Sequence, residues 1–563
     1  MPAADSIPPP AAAAGVLPKV RARDPDFWLE VVCWSVVAFC CLQILLFSFG
    51  RDQGIYAVVA EGLLEGKMPY RDVWDFKPPG IFIVYALAQG LLGKSMLAPR
   101  LLEVAGLVGM VFAFRRLGER FLEQPRAGLL GGTVAAIIHA ELEFWHTAQP
   151  ETFGGFLIAY ALLLSTETFG RRGRWAAWAG VGLLFGCAFV LKPTLGGGAF
   201  VCAAYLARRQ YQRGERLRDA VWPLVVAAVS SFVPIAVCVL WFAVRGAWGE
   251  LAWTMFEFTP GYTKLGWGYF SAPEAYYYGL QEAFVRFSAL AAFGAAAALA
   301  IRPMHSRERE VMLLVAGIIA VNVAGIAMQH KFFQYHYAAT LPFVAFIAGI
   351  GLYKLWRRCV LGGGAGMLAF VSFVAVALSM REAVRDLPQS FWTRCSVRMQ
   401  HFFGVGQYAT HEQLDRELYH VADYVLNTDR QVALELRRLT SPDAPVFVWG
   451  FEPAIYWLSE RRPASRYIYN VPQRARWERG RARTELLADL RATPPAVVAV
   501  QTGDVFPAVT GDNLDSRNAL WGFQELSSLL DEQYHFVTEV SGFDLYERNT
   551  SQGRARADAP PPR

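Results

Sequence analysis

The densest run of chemically competent residues lies between Gly50 and Gly80. It opens Gly50-Arg51-Asp52-Gln53-Gly54-Ile55-Tyr56-Ala57 and closes Pro69-Tyr70-Arg71-Asp72-Val73-Trp74-Asp75-Phe76-Lys77-Pro78-Pro79-Gly80. Asp52 is followed by Gln53 and Gly54, so no second carboxylate stands two positions on. A lone positioned carboxylate suits proton abstraction, a contribution of about 10²–10⁴ in rate. It is a weak start for a Mg²⁺ or Mn²⁺ site, which takes several oxygen ligands. The same Asp52 also fits a helix N-cap ahead of the amphipathic stretch Ile55–Leu64, which would lie in the plane of a membrane interface. Asp72 and Asp75 equally suit turns, and the Pro pair suits the first turn of a helix. Further candidates punctuate apolar sequence: Arg100 with Glu103, Gln149-Pro150-Glu151, Lys192-Pro193-Thr194, His330-Lys331 and Gln334-Tyr335-His336-Tyr337. Arg100 and Glu103 stand three apart on a helix and would pair. Each group alone also reads as an interfacial anchor.

The elements that must hold these groups are apolar helices. Of 563 residues, 54% are hydrophobic and 18% charged, against roughly 25% charged in a soluble domain. Val31–Gly50 carries no charge and is long enough to cross a bilayer, which takes about 20 residues. An ordinary soluble enzyme and a disordered chain are both excluded. About eleven apolar segments fall at 27–49, 96–114, 127–146, 152–170, 175–191, 195–207, 220–242, 287–301, 311–328, 338–353 and 359–379. The pattern predicts a mainly α, polytopic transmembrane bundle over 27–380, followed by an extracytoplasmic α/β domain over 381–548. Residues 1–26, rich in Pro and Ala, and 549–563 are expected to be disordered.

Charge sets the expected orientation. The net charge of +6 matters less than its distribution. Arg115, Arg116, Arg120 and Arg126 share one loop, Arg208, Arg209, Arg213, Arg216 and Arg218 another, and Lys354, Arg357 and Arg358 a third. The alternate loops are longer yet hold only scattered cations such as Lys77, Lys192 and Lys331. Cytoplasmic loops retain Lys and Arg, so the N-terminus is expected inside and the C-terminal domain outside. Every candidate named above then falls on the outer face, together with two long loops at 50–95 and 243–286. The second is unusually aromatic, with Trp253, Phe258, Tyr262 and Tyr269 among its rings; an interfacial belt and a sugar- or lipid-gripping surface both fit. In the last region, Val446–Trp449, Arg466–Tyr469 and Ala496–Gln501 read as strands, Thr484–Leu490 as helix and His535–Tyr546 as a hairpin. The eight cysteines show no C-x-x-C spacing, and all but Cys395 sit in or beside apolar runs, so neither a disulfide framework nor a metal site is expected.

The order of one Asp after the first span, then Tyr56-Ala57, then Pro69-Tyr70-x-Asp72 and Lys77-Pro78-Pro79-Gly80, resembles the GT-C superfamily of membrane glycosyltransferases. Polyprenyl- or dolichyl-phosphate-sugar transferases, the protein O-mannosyltransferase and lipid A aminoarabinose transferase families among them, carry the nearest pattern. The resemblance extends through Arg100, Glu151 and Gln334-x-His336-Tyr337. It implies sugar transfer from a polyprenyl-phosphate donor to an extracytoplasmic glycolipid, polysaccharide or protein, with inversion at the anomeric carbon, in a bacterial inner membrane. It assigns Asp52, with Glu151 second, to catalysis. Lys77, His336, Tyr337, Arg100 and Lys192 go to the donor phosphate and lipid, and Tyr56, Tyr70, Asp72 and Gln149 to substrate positioning. The Asp-x-Asp pair of oligosaccharyltransferases is missing, which argues against a metal; the Asp-Glu pair of protein O-mannosyltransferases is missing too, which argues against a protein acceptor. No cofactor is expected and no nucleic acid. Two other classes stay open: a secondary transporter, which usually has repeated halves that are not seen here, and a non-catalytic envelope-assembly scaffold.

Overall fold

The computed structural model describes residues 24–167, 171–267, 270–384, 387, 389–421 and 424–549. The segments expected to be disordered fall outside these except for 24–26 and 549, as does Tyr269. The described part of each predicted apolar segment is mainly helical. Among the described residues, six helices are long and apolar enough to cross a membrane: Pro25–Leu45, Leu97–Leu122, Gly173–Leu191, Trp222–Val244, Glu308–Gln329 and Gly363–Met380. A seventh would be the pair Ala272–Val285 and Ala289–Ala300, but its halves meet at a 109° bend. Pro125–Glu141, Pro150–Thr166 and Gly198–Gln212 have 17, 17 and 15 residues, and Leu341–Leu361 carries Lys354, Arg357 and Arg358. The number of straight full-length spans is therefore smaller than the apolar pattern predicts, because short helices buried by their neighbours count as apolar runs too.

Small residues let the inner helices meet backbone to backbone. A Cβ added at Gly349 would lie 2.1 Å from the nitrogen of Gly131, which joins Leu341–Leu361 to Pro125–Glu141. One added at Gly351 would lie 1.9 Å from the carbonyl oxygen of Gly294, joining the same helix to Ala289–Ala300. Such contacts replace the missing hydrophobic drive between helices in lipid with close packing. The basic loops gather at one end, where Asp26 meets Arg126 at 3.4 Å and Arg357 at 3.3 Å, and Arg120 meets Glu167 at 2.6 Å.

The C-terminal region carries a four-stranded sheet in the order Val446–Trp449, Val497–Gln501, Phe543–Arg548, Tyr534–Val540. The first pair is parallel; the others are antiparallel, the last two strands forming the predicted hairpin. The predicted helix is Arg479–Ala492. Arg466–Tyr469 is not a strand of this sheet. Its backbone turns to the first long loop instead: the Trp74 amide donates to the Arg466 carbonyl at 2.8 Å, and Trp74 bridges to Tyr467.

This domain is bolted to the bundle through buried polar contacts. On Phe391–Phe402, Arg394 Nε donates to Glu143 at 2.9 Å, and Arg398 pairs with the other Glu143 oxygen and with Gln43 at 3.2 Å. Removing one partner of such a pair strands the other charge in a medium that cannot solvate it. Glu143→Ala is expected to destabilise the folded protein by about 3–5 kcal/mol, read as a lowered thermal unfolding midpoint in detergent. An unchanged midpoint would show that the contact is not formed.

Candidate functional site

The site starts where the first membrane helix ends. Gly50 caps Arg51–Leu64, its amide donating to Gln53 Oε1 at 3.0 Å, so Asp52 lies inside the first turn and is not the N-cap. That leaves its carboxylate directed to Lys77 and Gln149, with 22% of the side chain exposed. A carboxylate in the first turn is also favoured by the helix dipole. Nor does the helix lie with one face open in an interface plane, because residues Gln53 to Ala60 are all buried. The C-terminal domain covers it, and a Cβ on Gly54 would come within 2.8 Å of Ala454.

Asp52 is held from two sides. Lys77 Nζ donates to Oδ1 at 3.1 Å, and Gln149 Nε2 donates to Oδ2 at 3.2 Å. The Tyr56 hydroxyl in turn donates to Gln149 Oε1 at 2.6 Å, which fixes the amide's orientation. Tyr70 sits at a positive φ of 67° and its hydroxyl donates to the Lys77 carbonyl at 2.8 Å, so it holds the backbone that carries the lysine. Asp75 lies 3.9 Å from Lys77 Nζ and accepts from Tyr469 at 2.5 Å. Burial works to lower the Lys77 pKa, but Asp52 and Asp75 outweigh it and hold the ammonium above its usual range.

A second cluster adjoins the first. Glu151, 2% exposed, pairs with Lys192 through Oε1, and His336 Nε2 lies 3.8 Å from the same oxygen. Glu151 Oε2 is buried with no partner among the described residues. The His336 Nδ1 meets the Lys331 carbonyl at 2.6 Å, so that nitrogen carries the proton. Burial, with Lys192 nearby, pushes the imidazole pKa well down. His336 is therefore neutral and adds no fixed cation, in contrast to its expected phosphate-binding part. Burial also lowers Lys192, against the pull of Glu151. The clusters share one electrostatic field, since Glu151 supports the Lys77 charge and Lys77 opposes that of Lys192.

Three expected residues point elsewhere. Arg100 is fully buried, bonded to Glu103 and Thr147 at 2.8 Å each and to the Ser48 and Phe144 carbonyls. Four of its five N–H donors are committed to these contacts, which join three chain segments, while Nε is buried with no partner among the described residues. The Tyr337 hydroxyl donates to the Gly279 carbonyl at 3.2 Å. Asp72 pairs with Arg71 at 2.7 Å and accepts from the Met68 amide at 2.7 Å, which is turn chemistry. Four side chains absent from the expected set do face the cavity or support it: Asp75, Tyr262, Tyr335 and Tyr469. Burial, then the carboxylates of Asp52, Glu151 and Asp75 with Tyr262 among them, hold the Tyr335 hydroxyl pKa well up. Lys331 Nζ lies 4.5 Å above the Tyr262 ring and donates to the Ala508 carbonyl at 2.9 Å. The aromatic loop thus closes over the site: Phe76 packs on Tyr262 at 4.8 Å, and Trp74 on Phe258 at 4.8 Å.

The class follows from fold and comparison together. Two solved structures of ArnT from Cupriavidus metallidurans share the fold. One is bound to undecaprenyl phosphate: 14% identity, TM-score 0.50, covering 94% of this chain and 99% of that one. The other is in the apo state: 13% identity, TM-score 0.52, covering 92% and 97%. The resemblance to GT-C superfamily membrane glycosyltransferases is borne out: the architecture is theirs, a polytopic helical bundle with a small sheet domain at its C-terminal end. Within it, residues 76–241 match the family described as dolichyl-phosphate-mannose-protein mannosyltransferase, a stretch that takes in Lys77, Gln149, Glu151 and Lys192. No curated protein matches the sequence.

Burial next to the site has a measurable consequence at Lys331. Burial pushes the Lys331 pKa down to about 8. Amine acylation followed by mass spectrometry should therefore find Lys331 reaching half its maximal rate near pH 8, about two units below an ordinary lysine. Half-maximal reaction at the ordinary lysine value would overturn that reading.

Proposed function

We propose that the protein is an integral-membrane glycosyltransferase that moves a sugar from a polyprenyl-phosphate donor to an extracytoplasmic acceptor. The observation that carries this reading is the Asp52 carboxylate held between Lys77 and Gln149, beside Glu151 and Lys192, in one polar cluster. A base, buried cations and an unpartnered carboxylate oxygen occupy the positions that base-assisted displacement needs. Donor phosphate binding draws Lys77 from Asp52 to the phosphate oxygens, which leaves Asp52 unpaired. Asp52 then takes the proton from the acceptor hydroxyl or amine as that atom attacks the anomeric carbon. The bond from that carbon to the phosphate oxygen breaks, and the electron pair leaves with the lipid phosphate. The carbon inverts, the products are the glycosylated acceptor and polyprenyl monophosphate, and the proton rests on Asp52.

Lys77 and Lys192 stabilise the charge that grows on the leaving oxygen, where point charges in a dry site act most strongly. Their ammonium groups supply charge of the kind a divalent ion brings, and the proposal includes no metal or cofactor. Glu151 Oε2 faces the sugar or the acceptor, and Gln149, oriented by Tyr56, keeps Asp52 aimed. Tyr70 acts through the Lys77 backbone. The basic-rich end lies in the cytoplasm and the C-terminal domain outside, in a bacterial inner membrane. That matches the positive-inside rule and puts the cavity on the side of the acceptor. The missing Asp-Glu pair disfavours a protein acceptor. A transporter would place its charges near the midplane, whereas these lie at one end of the bundle, and a scaffold has no use for a base held between a lysine and an amide.

The test is consumption of synthetic polyprenyl-phosphate sugars by the purified protein. Asp52→Asn should reduce transfer by about 10²–10⁴ while binding of undecaprenyl phosphate persists, and Lys77→Met should weaken that binding. Full transfer by the Asp52→Asn protein would remove Asp52 from the chemistry.

A further inference from the structure

The loop that carries Lys77 is held by the C-terminal domain at two successive points. The Trp74 amide donates to the Arg466 carbonyl at 2.8 Å, and the Tyr469 hydroxyl donates to Asp75 Oδ1 at 2.5 Å. Asp75 Oδ2 then accepts from the Lys77 amide at 3.3 Å, and the Asp75 carboxylate lies 3.9 Å from Lys77 Nζ. Asp75 has no side-chain exposure at all. A buried carboxylate persists only where donors and a counter-charge satisfy it, and here Tyr469 is the neutral donor. The Tyr469 ring is itself locked, against Phe451 at 5.1 Å and Trp74 at 5.9 Å.

We infer that Tyr469 is a positioning residue of the C-terminal domain that acts through Asp75 to fix Lys77 over Asp52. The inference rests on the reading of Lys77 as the lipid-phosphate cation. Lys77 is faced by Asp52 and Asp75 directly and by Glu151 and Lys192 from the adjoining cluster. The hydroxyls of Tyr56, Tyr262 and Tyr335 lie in the field of the same carboxylates. Asp75 is faced by Lys77, Tyr469 and, less directly, Asp52.

The sign of the pH effect follows from these neighbours. Burial already raises the Asp75 pKa, while Lys77 and the Tyr469 bond hold it down. Without the hydroxyl, Asp75 Oδ1 has no donor to fix it beside Lys77 Nζ, and the ammonium loses that counter-charge. Lys77 then loses its charge at a lower pH than in the unaltered protein, and with it the hold on a phosphate.

Binding of undecaprenyl phosphate to the full-length protein in detergent, measured against pH, tests this. Tyr469→Phe keeps the ring and should move the alkaline loss of binding to lower pH, with affinity at least about tenfold weaker on that limb. Asp75→Asn should give the same displacement, and the double variant should be no worse than either alone. A Tyr469→Phe curve that coincides with the unaltered one, or that loses affinity equally at every pH, overturns the inference. So do effects of the two variants that simply add. Absence of binding by the unaltered protein would sink this inference and the proposed function together. Displaced binding curves in a protein that transfers no sugar would sink only the proposed function.

Discussion

One ion pair organises the outer half of the molecule. Lys77 and Asp52 meet at 3.1 Å, and each arrives from a different direction, Asp52 on the first turn after the opening membrane helix and Lys77 at the end of the long loop. Two opposite charges that are largely out of water repay their desolvation only if geometry and further hydrogen bonds are both in place. That demand accounts for much of what surrounds them. Gln149 and Tyr56 hold one carboxylate oxygen, Tyr70 holds the lysine backbone, and Asp75 supplies a second counter-charge. Lys77 thus has two anionic partners, Asp52 at 3.1 Å and Asp75 at 3.9 Å, which together compensate its removal from water.

The soluble domain is part of this arrangement rather than an appendage. It grips the chain on both sides of the pair: Arg51, next to Asp52, is bonded to Glu452 at 2.6 Å, and Asp75, two residues before Lys77, is bonded to Tyr469. The Tyr424 hydroxyl meets the Phe49 carbonyl at 2.9 Å just ahead of the helix that carries Asp52. The aromatic loop fills the space between, through Trp253, Phe258 and Tyr262. Hydroxyl and carbonyl groups brought together in this way fix orientation, whereas apolar packing alone would leave the two bodies free to slide.

Much of this was legible in the sequence, for identifiable reasons. The apolar runs marked the helices, and the Pro69–Gly80 pattern marked the loop that carries Lys77. Short apolar runs at Val446–Trp449 and Ala496–Gln501 and the alternation in His535–Tyr546 found the sheet, because both patterns are local information. Lengths of spans were not legible, since a short buried helix such as Pro125–Glu141 reads as an apolar run just as a lipid-facing one does. Arg466–Tyr469 has strand composition, but its backbone partner is Trp74, nearly four hundred residues away, and no local pattern reports that. The site was found in part for the same reason. Asp52, Lys77, Gln149, Glu151 and Lys192 stood out as polar groups in apolar surroundings. Arg100 stood out equally, yet its partner Glu103 at i+3 absorbs it. Asp75 and Tyr469 were hidden, one among turn residues and the other within a strand-like run, and only the tertiary contact gives them meaning.

The glycine crossings within the bundle bear on how such a molecule can change shape. Where Gly349 rides on Gly131 and Gly351 on Gly294, no side chain lies between the backbones to repack. Helices joined in this manner have no slack for shear, because even a small translation drives main-chain atoms into one another. The helices joined in this way hold as one block, and any change of shape is left to elements without such crossings.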